Sequence, residues 1–558
     1  MGCYGGPLLH AQSLIDNSLK TSFFAISDNN ALVNLAEQTG ASRFYDNGIY
    51  GQNTTSWVVD AQFVGTNLFP ALQFTNVYAK YASPDVVTDP GVHATWCAAL
   101  LGGYEPPGYY VNTGIAPLTR IGSGALATAI NSDGSFDISS DSLSAYNYAA
   151  SHGDVVSTSI GDSSDTAGVG IISGLLDAMA RAHPNTTMAA SAGNSGPGPG
   201  TVVGPASGYN TISVGALDGP PNYSTVASFS SRGPLQTAWY DGTTTIFYGG
   251  GVASRPGVDL LAAGTDEVMP VQFNANSVTY YSISGTSFAA PLVAGGAALL
   301  DSVAKTAFSS SYTDAATRSE VIKAVLMNSA DKLPGWDNGQ QISAGVITTM
   351  QALDWAMGAG RLNLNNAFTQ YTTSAVVTTG KGISLSGFTE PVQSTGWAFG
   401  TAMIGGHNDY QLLNQLFSGQ QIAVTLAWMR DRNWSNVLGD YVDVAQAELD
   451  LMVYRLVTGV PDLLVASSIS PVGTVQELYF EITDPGTYLI SVGYSKNLFD
   501  LNGTYAAQDY GLAWTVADVP EPSTWVLLSM GLCIVAWRVR SLSASFSQTA
   551  RKPVTKNS

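Results

Sequence analysis

Between residues 54 and 304 short apolar runs alternate with stretches of helical period, and this alternation restricts the chain to one broad architecture. Residues 54–59, 154–160, 186–192 and 211–214 read as strands, while 92–101 and 170–181 read as helices. Residues 286–304 read as a long helix built largely from small side chains, and 30–40 as a short one ended by Gly40. Apolar strands separated by helices form a parallel sheet covered on both faces, and such sheets carry their sites at the carboxyl ends of the strands. The residues singled out below for chemistry fall at such ends.

Two interruptions organise the rest. Residues 235–251 contain Tyr240-Asp241-Gly242 between aromatic and Thr-rich runs, which predicts an inserted hairpin with a tight Asp-Gly turn. After Phe368 the helical pattern stops, and 371–382 has the composition of a linker. Beyond it, 421–428, 448–455, 476–482 and 487–493 read as short strands, so a small all-β sandwich or jelly roll is expected over 383–518. At 558 residues and 45% hydrophobic content the chain can fill both a large core and a smaller one. The expected division is an N-terminal segment 1–40, an α/β domain 41–370, the linker, the sandwich, an apolar segment with its flanks over 519–542 and a basic tail 543–558.

Only 11% of residues are charged and the formal net charge is -19, which excludes nucleic acid as a partner. The three cysteines, Cys3, Cys97 and Cys533, are too scattered for a disulfide framework. Near the C-terminus, Pro520-Glu521-Pro522 precedes an uncharged run from Trp525 to Trp537, and Arg538 and Arg540 follow. That run is shorter than the about 20 residues of a permanent span. The three parts in this order resemble the PEP-CTERM sorting signal of bacterial exosortase substrates. The resemblance implies an exported bacterial protein, extracytoplasmic or at the cell surface, held for a time in the membrane by its C-terminal hydrophobic helix and processed by an exosortase-type enzyme. The basic flank agrees with an outward-facing body. Residues 1–12 lack a basic n-region and a full apolar core, so any leader is expected to be present only as a remnant.

The string Ser284-Gly285-Thr286-Ser287-Phe288-Ala289-Ala290-Pro291 opens the small-residue helix. A nucleophilic serine gains from a helix start, where free amides and the dipole stabilise an oxyanion, although Gly-Thr-Ser before a helix is also an ordinary cap. The string resembles the nucleophile motif Gly-Thr-Ser-x-Ala-x-Pro of the subtilisin-like serine proteases. Among five histidines, His93 opens His93-Ala94-Thr95-Trp96-Cys97-Ala98-Ala99-Leu100-Leu101-Gly102, similar to that family's His-Gly-Thr-x-Val-Ala-x-x-x-Gly with Ala94 in place of a glycine. A carboxylate that orients the histidine should end an apolar strand upstream. Asp60 follows Trp57-Val58-Val59, and Asp46, in a turn-like Phe44-Tyr45-Asp46-Asn47-Gly48, is the alternative. The family's Asp-Thr/Ser-Gly stands here as Asp60-Ala61-Gln62.

The resemblance implies further roles. Asn194, in Ala192-Gly193-Asn194-Ser195-Gly196, matches the oxyanion-hole asparagine, and Ser159, Ile160 and Gly161 match the strand that pairs with substrate. Ala192 and Gly193 would wall the primary side-chain pocket with them. Residues 227–234, 255–259, 321–330 and 358–363 extend the likeness, which covers about 48–368. It implies a subtilisin-like α/β fold and a serine endopeptidase acting on proteins or peptides through Asp60, His93 and Ser287. No metal or other cofactor is required for that chemistry; structural calcium is compatible with it but no binding loop is assigned. Two rival readings remain: a catalytically inactive surface-binding or adhesion protein on the same fold, and a glycan- or matrix-binding role for the sandwich with Trp428, Trp434 and Tyr454 as a sugar platform.

Overall fold

The computed structural model describes residues 24–26, 32–66, 77–103, 114–251, 253–274, 277–308, 310–349, 351–378, 387–435, 439–458 and 462–518. The segment from 519 onward, on which the sorting-signal expectation falls, and most of the N-terminal segment therefore lie outside the described residues. At the front, Asn34 caps the helix Leu35–Thr39 through its side chain and left-handed Gly40 ends it, so the helix is shorter than its periodicity predicted.

The apolar runs form the expected sheet. Its strands are β1 (Thr55–Asp60), β2 (Val77–Tyr81), β3 (Arg120–Ala125), β4 (Val155–Thr158), β5 (Thr187–Ser191), β6 (Ile212–Asp218) and β7 (Leu260–Ala263). They are mutually parallel in the order β2-β3-β1-β4-β5-β6-β7. The short strand Thr225–Val226 pairs antiparallel with the end of β6. The order reverses between β1 and β4, where crossovers to either side leave a crevice at the carboxyl ends. Helices α1 (Val92–Gly102) and α3 (Thr286–Ala307) share one core with Val58, whereas α2 (Ile171–Ala182) shares the other with Trp57 and Val59. That division follows from the alternation of side chains along a strand. Among the described residues only α3 is long and apolar enough to cross a membrane, and it is wholly buried in the core.

The C-terminal strands form two sheets, one of eight strands built around Asp440–Leu456 and Thr487–Asp500, the other of five built around Ala507–Ala517. Gln421–Trp428 has the predicted bounds. The expected linker is structured at its start: the helix Leu364–Thr373 runs into it, and Ala375–Val377 pairs with Thr395–Met403. Nor do the sheets stand apart from the α/β body. Val346–Thr349 pairs with Leu463–Ser468, and Trp397, Phe399, Val475 and Ala513 lie in the same apolar cluster as α3. Trp428 is buried and donates its indole N–H to Ala447, so the sugar platform predicted with Trp434 and Tyr454 loses its first member to core packing.

The inserted hairpin ties the two parts together. Ala238–Tyr240 and Thr245–Phe247 are joined by four residues rather than a two-residue turn, because the Asp241 carboxylate accepts the N–H groups of Thr243 and Thr244. Trp239 stacks on Phe499 with centroids 4.9 Å apart, and Tyr240 donates its N–H to Asp443. Behind it lies a buried charge cluster. Arg432 donates from Nε to Asp443 at 2.6 Å and from Nη1 to Asp177 of α2 at 2.8 Å, with all three side chains excluded from solvent. Asp177 also accepts the backbone N–H groups of Tyr209 and Asn210. Arg432→Ala strips Asp177 of its ion-pair partner and leaves Asp443 only the more distant Arg430, 3.6 Å away, so it is expected to destabilise the protein by about 3–5 kcal/mol. Denaturant unfolding measures this; a loss below about 1 kcal/mol contradicts it.

Candidate active site

Each predicted site residue is delivered by the end of an element. β1 carries the apolar run Trp57, Val58 and Val59 and terminates in Asp60, which is 2% exposed. Asp60 Oδ1 accepts the N–H of Ala61 at 2.7 Å, and Oδ2 lies 2.8 Å from His93 Nδ1. Asp46, the alternative, ends a short helix and makes no such contact among the described residues. The departure at Gln62 has a visible accommodation: a Cβ on Gly91, the N-cap of α1, would come within 2.8 Å of Gln62 Cβ. The bulk gained at position 62 is thus absorbed by the missing side chain at 91.

His93 stands in the first turn of α1 with its side chain 22% exposed. Its ring tilts against that of Phe288, with centroids 5.7 Å apart. Burial by itself lowers the imidazole pKa, but the adjacent Asp60 carboxylate and Cys97 together outweigh burial and hold it well above the ordinary histidine value. One turn along, Cys97 Sγ lies 3.9 Å from His93 Nδ1 and donates to the Ser287 carbonyl at 3.4 Å.

Ser287 occupies the first turn of α3, 8% exposed. Pro291 explains part of the surrounding geometry: it has no N–H, so the Ser287 carbonyl four residues earlier has no helical donor. That carbonyl accepts instead from the Ser159 hydroxyl at 2.8 Å and from Cys97. The Ser287 hydroxyl donates to the Ser159 carbonyl at 3.3 Å, and among the described contacts it makes no hydrogen bond to His93. Nucleophile–base bonds are often long before substrate binds.

Asn194 follows Gly193, whose φ of 107° turns the chain away from β5. Its Oδ1 accepts from the N–H and hydroxyl of Thr286 at 2.9 and 3.0 Å, and Gly193 N–H donates to the same hydroxyl. With Oδ1 doubly occupied, Nδ2 is oriented away from Thr286, and among the described residues it has no protein acceptor. Ser159 and Ile160 are buried beyond the end of β4, Gly161 is exposed, and Ala192 is buried beyond the end of β5. A Cβ at either Gly161 or Gly193 would meet Val203 Cγ2 at 3.0 Å. Val203 therefore floors the space between them, a role no motif announced.

Asp60, His93 and Cys97 place one potential metal-ligating atom each within 4.8 Å of one another. Since Cys97 touches both His93 and the Ser287 backbone, a bulky mercurial on Sγ is expected to inactivate the protein by displacing them. Full activity after thiol modification verified by mass spectrometry contradicts this.

The chain matches the subtilase (peptidase S8) family over residues 63–360. It is 28% identical over 316 residues to the subtilisin-like protease SBT6.1 of Arabidopsis thaliana, covering 56% of this chain and 27% of that one. It is 28% identical over 287 residues to the serine protease AprX of Bacillus subtilis, covering 45% and 58%. Over 191 residues it is 35% identical to a thermophilic serine proteinase of a Bacillus species, covering 34% and 37%. The chain thus spans less than two thirds of the length of each of these relatives. The solved protease domain of PatA aligns over 57% of this chain and 96% of its own at 21% identity, with a TM-score of 0.39. The chain belongs to the subtilase family.

Proposed function

We propose that this chain is a serine endopeptidase in which Ser287 is the nucleophile, His93 the general base and Asp60 the residue that orients it. The observation that carries the reading is the convergence of four elements: the end of β1, the starts of α1 and α3, and the turn after β5. Substrate lies along Ser159–Gly161 as an added strand, with its primary side chain between that segment and Ala192 and Gly193. Ser287 Oγ attacks the scissile carbonyl while His93 Nε2 takes its proton. Asp60, bonded to Nδ1, holds the tautomer that leaves Nε2 free to accept. The oxyanion is held by Asn194 Nδ2, left free by the two bonds to Oδ1, and by the Ser287 N–H. His93 returns the proton to the leaving amine, and water then releases the acyl group by the same path. None of these steps needs a metal.

The same reading includes export, supported by the Pro-Glu-Pro, apolar and basic succession at 520–540, with the apolar segment a transient anchor for an exosortase-type enzyme. The test of the catalytic claim is hydrolysis of an internally quenched peptide by the full chain and by Asn194→Ala. The wild type should cleave, and the variant should lose about 10²–10³ in kcat. Absence of cleavage by folded wild type favours the inactive surface-binding alternative, to which the Ala61 and Gln62 departures would then be the clue.

A further inference from the structure

Beyond Asn194 the crevice continues into a second pocket, of about 550 Å³, that shares no residue with Ser159–Gly161 or with Ala192 and Gly193. It begins at Asn194 and Ser284 and reaches Asp218 at the end of β6 and Asp266 just past β7. Phe229 and Pro197 supply apolar wall, and none of the lining residues is cationic. Both carboxylates are partly exposed. Asp218 engages only Oδ1, with the Gly219 N–H and the Thr265 hydroxyl, and Asp266 engages only Oδ1, with Ser282. The second oxygen of each has no partner among the described residues.

The sheet order fixes which half of a substrate meets this pocket. A peptide paired with the segment after β4 places its acyl half over the ends of β4 and β5. Continuing past Ser287 and Asn194, the chain crosses toward the ends of β6 and β7, so the pocket receives the leaving half. We infer that Asp218 and Asp266 select a lysine or arginine side chain just after the scissile bond. Such a side chain can lay its apolar stem on Phe229 and Pro197 and bring its charge to the two free carboxylate oxygens. This rests on the serine-peptidase reading and adds a substrate class to it.

Acyl transfer tests the pocket separately from the rest of the site. The full chain is acylated with a peptide ester, and amino-acid amides compete with water for the acyl group. The amine nitrogen forms the new C–N bond, the bond between the acyl carbon and Ser287 Oγ breaks, and His93 moves the amine proton back to Oγ. Argininamide and lysinamide should capture the acyl group about tenfold better than uncharged norleucinamide. In the Asp218→Asn/Asp266→Asn variant that preference should vanish, while ester turnover and norleucinamide capture stay within about twofold of wild type. Ester turnover with equal capture of all three amides, or a preference that survives the double substitution, overturns the inference alone. A folded chain that turns over no ester overturns the peptidase reading and this substrate class with it.

Discussion

Ser287→Ala is expected to lower kcat for peptide hydrolysis by about 10⁶, the loss that subtilisin itself shows on removal of its nucleophile. The effect is large because the side chains act as a unit: without Oγ, the proton held by His93 and the donors of the oxyanion site have no covalent intermediate to serve. The fold should survive, since the substitution removes one hydroxyl whose described bond is a 3.3 Å contact to the Ser159 carbonyl. Unfolding midpoints measured beside the rates separate the two effects. A loss of less than about tenfold in a folded variant would mean that another residue carries the reaction.

Asp60→Asn should lower kcat by about 10⁴ with little change in structure. An amide at this position can turn its Nδ2 toward His93 Nδ1, which then accepts rather than donates, and Nε2 carries the proton and cannot take another. The pH profile adds a second readout. His93 works as a base only when neutral, so wild-type kcat/KM rises as pH passes upward through its raised pKa. Removing the Asp60 charge leaves burial, which lowers that pKa, opposed only by Cys97, and the acid limb should move to lower pH. A limb that stays in place would mean that Asp60 is not the charge that governs the base.

Much of this arrangement was legible because its residues speak locally. The apolar run before Asp60, the Gly-Thr-Ser string and the small residues of α3 each predict an element end and a chemistry at once. What stayed hidden depends on neighbours distant in sequence. β3, with the sequence Arg-Ile-Gly-Ser-Gly-Ala, is too glycine-rich to read as a strand, yet Gly122 lies where a Cβ would come within 2.3 Å of the Trp57 ring. Propensity gave way there to close packing against β1. The charges of Asp177, Arg432 and Asp443 look like surface residues in sequence and become buried partners only when α2 meets the C-terminal sheets. The sandwich strands were recognisable by their alternation, but no local pattern signals that Val346–Thr349 completes one of their sheets. At the site, Gly91 and Val203 are legible only through what they touch: Gln62 in one case, the space between two glycines in the other.

The most direct test of the central claim is intact-protein mass spectrometry of the full chain after treatment with a fluorophosphonate, with Ser287→Ala alongside. The account predicts one adduct, mapping to Ser287 and absent from the variant, because only a serine with a working base and oxyanion site reacts in this way. Folded wild type that gains no adduct, or an adduct that persists in Ser287→Ala, would contradict it.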